Sequence, residues 1–201
     1  NGYSNIYLIG HSMGGVIATY LASKYKEIRK LVLAAPAFQY LNVIKDNLNV
    51  GKSLKIGELD DEFDYLNIYL SPRDYHHYHA PCDIQILSLE YTPGKLFSVA
   101  KSALLKHDNL YAQNERVTLK IRLQNGKLAW MVFVGALNVG KMKFDFEPRI
   151  TTNANLNAAF YEYNNLYLKS GEHIGNFELG STIVIISQNG AINYTIKSDE
   201  P

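Results

Sequence analysis

The spacing of apolar residues changes near residue 56, and this change is the strongest constraint on the fold. Before it, an apolar strand is predicted at residues 6–9, and residues 16–25 have the periodicity of an amphipathic helix. A second apolar run at residues 31–35, ended by Pro36, predicts a parallel strand of the same sheet. These elements predict one βαβ unit.

After residue 56 the apolar runs are short and separated by turn residues, which is typical of β-sheet proteins. Strands are predicted at residues 66–70, 84–89, 117–123, 128–134 and 182–186. The Asn125-Gly126 pair between two of these runs predicts a β-hairpin, and residues 98–105 favour a short helix. The expected fold class is α+β, with a short βαβ segment at residues 1–56 and a mainly β domain at 57–201.

Composition narrows the possible functions. Of the 201 residues, 47% are hydrophobic, which is ordinary for a globular protein, and the net charge of +1 gives no basis for nucleic-acid binding. Cys82 is the single cysteine, so an internal disulfide is impossible and a reducing compartment is expected. No apolar run reaches the roughly 20 residues that a membrane-spanning helix needs. The chain begins at Asn1 in mid-pattern, so we interpret it as a piece of a longer protein.

Residues 10–14, Gly-His-Ser-Met-Gly, fit the nucleophile elbow G-x-S-x-G between a predicted strand and a predicted helix. Such a turn exposes the Ser12 hydroxyl, while the Met13 amide and the helix N-terminus can stabilise an oxyanion. Residues 1–45 therefore resemble part of an α/β-hydrolase of the lipase and esterase kind. The resemblance implies Ser12 as the nucleophile.

An inert remnant is the alternative interpretation of this elbow. The acid and histidine of a hydrolase triad follow the serine on later strand ends, but the α/β pattern stops after one further strand. The next histidine, His76, belongs to a different motif. A serine hydrolase and an inactive fusion of two fragments both stay open as hypotheses.

Residues 69–82 concentrate titratable and aromatic side chains directly after a predicted strand, among them His76, His77 and His79. Imidazole is a common metal ligand, but no cysteine pair or second histidine cluster completes a recognisable set, so no metal is expected. Histidines that only decorate a polar loop are the alternative.

A second segment, Gly-Glu-His-Ile-Gly-Asn-Phe-Glu-Leu-Gly-Ser-Thr at residues 171–182, precedes an apolar strand. Together with S-P-R-D-Y-H-x-x-H-x-P at residues 71–81, it resembles the phosphatidylserine decarboxylases. The segments at 91–99, 114–116 and 134–136 also look like family segments. The resemblance covers about the last two thirds of the chain.

The resemblance implies a self-cleaving enzyme. The Ser181 hydroxyl attacks the carbonyl of Gly180, the chain separates there into β and α chains, and Ser181 becomes a covalent pyruvoyl group. This electrophilic ketone serves as an electron sink in the decarboxylation of phosphatidylserine to phosphatidylethanolamine. By family position, His79 is the base for maturation and His76 the acid for decarboxylation, so Ser181 is expected in a turn close to both. His77 is assigned no chemistry.

The chain departs from the family pattern in one respect. An aspartate that orients the base stands in an earlier family motif, and Asp60, Asp61 and Asp64 lie outside that motif. Self-processing is therefore expected to be slow or not to occur at all. The substrate implies peripheral contact with the cytoplasmic face of the bacterial cell membrane.

Overall fold

The computed structural model describes residues 6–11, 28–34, 63–70, 72, 74–99, 103, 109–137, 141–153, 157–178 and 180–192. Within these residues the structure is mainly β, with strands in three sheets and a short helix, α1 (Leu110–Gln113); Ala103 is also helical. The strands are β1 (Ile6–His11), β2 (Ile28–Ala34), β3 (Phe63–Leu70), β4 (His77–His79), β5 (Ile84–Thr92), β6 (Arg116–Leu123), β7 (Leu128–Val134), β8 (Met142–Phe144), β9 (Ala159–Leu168), β10 (His173–Phe177) and β11 (Ser181–Gln188).

Strands β1 and β2 pair in parallel and form a two-stranded sheet of their own, with Leu8 opposite Leu31. The parallel pairing confirms the two strands predicted for this part of the sequence. The crossover helix predicted between them, and Ser12 itself, lie outside the described residues.

The largest sheet has six antiparallel strands in the order β3-β11-β7-β6-β5-β9. Strands β7 and β11 are almost continuous apolar runs and are buried over nearly their whole length, as strands covered on both faces should be. The predicted hairpin joins β6 to β7, and Gly126 adopts the positive φ of 81° that its turn requires. Strand β11 is thus an interior strand with a neighbour on each side.

The third sheet has the order β4-β10-β8. Strands β8 and β10 approach each other closely at Gly175. A Cβ on this residue would lie 1.9 Å from the carbonyl oxygen of Lys143 in β8. Any side chain there would force β8 and β10 apart. Glycine is therefore required at this position of β10.

An aromatic cluster joins the three-stranded sheet to the six-stranded one. The Tyr78 ring of β4 lies 4.4 Å from Phe133 of β7, 5.5 Å from Phe144 of β8 and 5.2 Å from Phe177 of β10, centroid to centroid. All four side chains are buried, and such ring pairs add to the free energy gained by burial itself. The histidine-bearing strand β4 is thereby packed on β7, the strand next to β11.

The five strands predicted after residue 56 are all present, with ends that differ by a few residues. Strands β4, β8, β9 and β10 were not predicted. The helix expected at 98–105 lies largely outside the described residues. No helix in the described part is both long and apolar enough to span a bilayer.

Candidate active site

Ser181 is the first residue of β11 and is held by main-chain pairing. It lies opposite Leu70 of β3, and the next residue, Thr182, lies opposite Val134 of β7. The Ser181 side chain is 1% exposed, and its hydroxyl donates a hydrogen bond to the Val134 carbonyl oxygen. Gly180, directly before it, has a positive φ of 20°. Ser181 therefore opens a buried strand instead of occupying the expected turn.

Thr182 points to the opposite face of β11 from Ser181, because side chains alternate along a strand. Its buried Oγ1 atom, like Oδ1 of Asn67 in β3, has no hydrogen-bond partner at good geometry among the described residues. The Tyr111 hydroxyl lies near both. Burial raises the pKa of Tyr111 to about 12, although the polar side chains of Thr182 and Asn67 oppose the rise. A protonated phenol and two under-satisfied oxygens thus lie near one another, with Thr182 on the face of β11 opposite Ser181.

His79 has both ring nitrogens engaged. Its Nδ1 lies 3.0 Å from the carbonyl oxygen of Gly171, and its Nε2 lies 3.0 Å from the Tyr75 hydroxyl. Since a carbonyl can only accept, Nδ1 carries the hydrogen and Nε2 accepts from Tyr75. Burial lowers the pKa of His79, with the Gly171 hydrogen bond acting in the opposite direction, and burial raises the pKa of Tyr75. His79 is therefore a neutral imidazole at pH 7 with the lone pair of a base on Nε2.

His76 is anchored through its main chain. Its carbonyl oxygen accepts a hydrogen bond of 2.9 Å from the amide of Phe177, the last residue of β10. Phe177 lies three residues before Gly180 in the sequence. The histidine segment is therefore tied directly to the chain that leads into the Gly180–Ser181 bond.

His77 and His173 form a contact that sequence analysis missed. His77 Nδ1 lies 2.7 Å from His173 Nε2, and His173 Nδ1 lies 2.5 Å from Oδ2 of Asp145, the residue after β8. Tyr75 stacks on both His77 and His79, with centroid distances of 5.0 and 5.8 Å. His77 and His173 are 96 positions apart, so only the pairing of β4 with β10 brings them together. No local sequence signal points to it.

The structure thus gathers the four histidines of the motif segments around β4 and β10, while Ser181 lies in the neighbouring sheet. Among the described contacts, the hydroxyl of Ser181 is bonded to Val134 and the ring of His79 to Gly171 and Tyr75. The roles of Ser181, His76 and His79 stay predictions on this geometry. The described residues hold no group of three or more His, Cys, Asp or Glu side chains arranged to bind a metal ion.

Comparison with known proteins identifies the family. The model of the family described as phosphatidylserine decarboxylase matches residues 32–200, a segment that contains both Ser181 and the histidines. The chain belongs to the phosphatidylserine decarboxylase family. A separate model, described as serine aminopeptidase S33, matches residues 1–55 and overlaps the first match at residues 32–55.

Curated members of the phosphatidylserine decarboxylase family align with most of this chain. The phosphatidylserine decarboxylase proenzyme of Campylobacter jejuni is 54% identical over 146 residues, which cover 72% of this chain and 54% of that protein. The corresponding proenzyme of Helicobacter pylori strain 26695 is 51% identical over 139 residues, covering 68% and 52%. That of Herminiimonas arsenicoxydans is 38% identical over 142 residues, covering 68% and 48%. The chain spans about half the length of the curated relatives it matches.

Proposed function

We propose that this chain carries the cleavage site and the histidines of a pyruvoyl-dependent enzyme that decarboxylates phosphatidylserine to phosphatidylethanolamine. The observation that carries the proposal is the placement of Ser181, directly after Gly180, as the buried first residue of an interior strand. The histidine segment is hydrogen-bonded to the chain that precedes it. The relatives are phosphatidylserine decarboxylase proenzymes, which supports both the precursor form and the substrate.

The residues present fit a pyruvoyl group derived from Ser181. Gly180 has no side chain to obstruct attack on its carbonyl, and the Ser181 hydroxyl is held in place by Val134. Ser181 is 1% exposed, so a carbonyl formed at its Cα would be shielded from water. Val134, Leu70 and Thr182 would hold the group, which supplies an electrophilic ketone when it is formed.

His79 is suited to accept the hydroxyl proton of Ser181 during maturation. It is neutral, and its Nε2 lone pair becomes available once the Tyr75 hydroxyl leaves it. Its Nδ1 hydrogen is oriented by the Gly171 carbonyl and not by a carboxylate. A carbonyl dipole stabilises the resulting imidazolium less than a full negative charge does. We therefore expect slow processing in this chain.

His76 is the proposed acid that returns a proton to the substrate's α-carbon. Its main-chain bond to Phe177 fixes the segment next to the cleavage site whether or not the chain is cut. Imidazole suits this role because its ordinary pKa lies near neutrality.

The fold retains both products of cleavage. Residues 181–192 begin with a strand that is hydrogen-bonded to β3 on one side and β7 on the other, and its apolar side chains are buried. A cut before Ser181, with loss of the Ser181 nitrogen as ammonia, would leave the main-chain pairing of residues 182–188 in place. The β and α chains should therefore stay associated until the protein is denatured.

Two further parts of the proposal concern organisation and location. We place the hydrolase-like segment at residues 1–56 and the decarboxylase domain at 57–201. Because the substrate is a membrane lipid, we propose peripheral contact with the cytoplasmic face of the bacterial cell membrane.

Intact mass and lipid turnover test the proposal together. Purified chain is incubated with phosphatidylserine in detergent micelles, its mass is followed over time, and phosphatidylethanolamine is quantified by mass spectrometry. We expect two fragments, 1–180 and 181–201, the second with a pyruvoyl mass at its N-terminus, and lipid product in step with them. Ser181→Ala should show one mass and no product. Ser187→Ala is the matched control, since Ser187 is equally buried on the same strand. An unmutated chain that stays intact and makes no product overturns the proposal.

A serine hydrolase acting through Ser12 is a second candidate function. The match of residues 1–55 to the serine aminopeptidase model favours it, as does the parallel pairing of β1, whose last residue, His11, directly precedes Ser12. A fluorophosphonate probe should then label the chain but not its Ser12→Ala variant. A chain that resists the probe has no activated serine at that position.

A further inference from the structure

A chain of hydrogen bonds runs from Asp145 through His173 to His77, and the proposed function does not use it. Asp145 Oδ2 lies 2.5 Å from His173 Nδ1, and His173 Nε2 lies 2.7 Å from His77 Nδ1. The contacts link the turn after β8, strand β10 and strand β4. We refer to these three side chains as the Asp145–His173–His77 chain.

The direction of each hydrogen bond in the chain follows from what each atom can donate. A carboxylate only accepts, so His173 Nδ1 carries a hydrogen, and in neutral His173 the Nε2 atom then accepts. His77 must therefore donate from Nδ1. Both neutral histidines are held as Nδ1–H tautomers, whereas a free solvent-exposed histidine favours the Nε2–H form.

The first and the second proton added to the Asp145–His173–His77 chain have different effects on its hydrogen bonds. A proton added to His173, whose Nδ1 is bonded to the Asp145 carboxylate, makes His173 Nε2 a donor. His77 can keep the bond only by moving its own hydrogen from Nδ1 to Nε2. A second proton would place hydrogens on both facing nitrogens, which are 2.7 Å apart, and the contact would break. The chain accommodates one extra proton but not two.

His79 lies directly against this chain. It pairs with His173 across β4 and β10, and the two rings meet edge to face at 5.2 Å. Tyr75 stacks on both His77 and His79, so these rings form one packed group. A break between His77 and His173 therefore removes a support of the His79 ring.

We propose that Asp145 and His173 are positioning residues for His79, acting through a hydrogen-bonded chain whose tautomers switch on uptake of one proton. The functional part of this inference rests on the role proposed above for His79. Besides Asp145, the titratable groups facing His77 are His76, Tyr75, His79 and His173. Burial lowers the pKa of His77, and the neighbouring histidines lower it further while Asp145 raises it. His77 is thus the member that resists the second proton.

Nitrogen-15 spectra of the imidazole rings test the chain independently of activity. The full chain, labelled with ¹⁵N-histidine, is titrated from pH 8 to pH 5, and His77→Gln and His173→Gln assign the signals. We expect Nδ1–H tautomers for both residues at high pH, and a switch of His77 to Nε2–H at the same pH at which His173 takes up its proton. The His79 signals should move with this switch. The proposal is overturned if His77 and His173 titrate independently, or if the His79 signals change with neither of them.

Substitutions at and near Asp145 sharpen the test. Asp145→Asn removes the negative charge next to His173, so the switch should move to lower pH. Asp145→Glu keeps a carboxylate and should retain the switch. Lys143→Gln is the matched control, because it breaks an ion pair between β8 and Glu178 without touching the chain. A switch that moves equally in Lys143→Gln contradicts the role assigned to Asp145.

The rate of self-cleavage separates this inference from the proposed function. If His79 is the base, Asp145→Asn should slow cleavage about fivefold, the factor expected for one net hydrogen bond, while Lys143→Gln cleaves normally. Cleavage that proceeds equally in all variants overturns the positioning role. If no variant cleaves, the proposed function fails. The nitrogen-15 spectra still decide whether the Asp145–His173–His77 chain positions His79.

Discussion

Ser181 and the histidines of the candidate site are held in place by different interactions. Ser181 lies in the six-stranded sheet, where β11 is paired on both sides by main-chain hydrogen bonds and surrounded by buried apolar side chains. The histidines lie on the three-stranded sheet, whose strands are also paired through the main chain, but the imidazole rings themselves are held by partly exposed side-chain contacts. Main-chain pairing does not depend on protonation, but imidazole contacts do. The position of the serine should therefore be insensitive to pH, while the arrangement of the histidines should vary with it.

Substitution of the two proposed catalytic histidines should produce the largest effects after loss of Ser181. His79→Ala removes the base and should slow self-cleavage by about a hundredfold or more. His76→Ala should leave cleavage intact but suppress decarboxylation to a similar degree. Intact mass measures the first effect and phosphatidylethanolamine release the second. Equal loss of cleavage in both variants would show that the two histidines do not divide the steps as proposed.

Gly175→Ala should destabilise the three-stranded sheet that carries the histidines. The added methyl group would meet the Lys143 carbonyl oxygen at 1.9 Å, and backbone atoms cannot yield as a flexible side chain can. We expect a loss of about 3 kcal/mol in the free energy of unfolding, seen as a melting temperature lower by roughly 6–12 °C.

Gly126→Ala is the control for that substitution. Gly126 has a positive φ, unlike Gly175, and the space around it is open, so only backbone strain of about 1 kcal/mol is expected. If Gly126→Ala destabilises the chain as much as Gly175→Ala, close packing of β10 on β8 is not what makes glycine necessary.

The contrast between the two regions also explains what the sequence could predict. Strands such as β7 and β11 are long apolar runs, so their existence and type were clear from local pattern. Strands β4 and β8 have three residues each, too few for a periodicity, and β9 carries Phe160 and Tyr167 on its exposed positions, which obscures the alternation. Ser181 and His79 were found by motif resemblance. The partners Tyr75, Gly171 and Asp145 depend on strand register and turn geometry that local pattern does not encode.

Acid should destabilise the three-stranded sheet, which carries the histidines, before the six-stranded sheet, which carries Ser181. The pKa values of His77 and His79 are both lowered, chiefly by burial, from an unfolded value of 6.5. Below pH 6.5 the unfolded chain therefore binds more protons than the folded one, and stability falls as the pH falls through that window. Melting temperatures measured between pH 7.5 and 5 should decline by a few degrees, and His79→Gln should flatten the decline. A melting temperature independent of pH in this range would contradict the lowered pKa values.

The smallest expected effect concerns which hydroxyl group donates a hydrogen bond to His79 Nε2. Tyr75 donates to His79 Nε2, whereas the Ser181 hydroxyl donates to Val134, so Tyr75→Phe should uncover the Nε2 lone pair without disturbing Ser181. Because the stacked ring is retained, little stability should be lost. The uncovered nitrogen should react about fivefold faster with diethyl pyrocarbonate, the factor for losing one ordinary hydrogen bond. Peptide mass mapping identifies the modified histidine.

Tyr163→Phe is the control for this measurement, since it removes a tyrosine hydroxyl from Glu147 and leaves the His79 hydrogen bonds untouched. Tyr75→Phe should also allow the serine hydroxyl to compete for Nε2, so self-cleavage should become faster by a similar factor. If reactivity at His79 instead falls, the Tyr75 hydroxyl serves to hold the imidazole in place, and the base would then depend on both of its hydrogen bonds, to Tyr75 at Nε2 and to the Gly171 carbonyl at Nδ1.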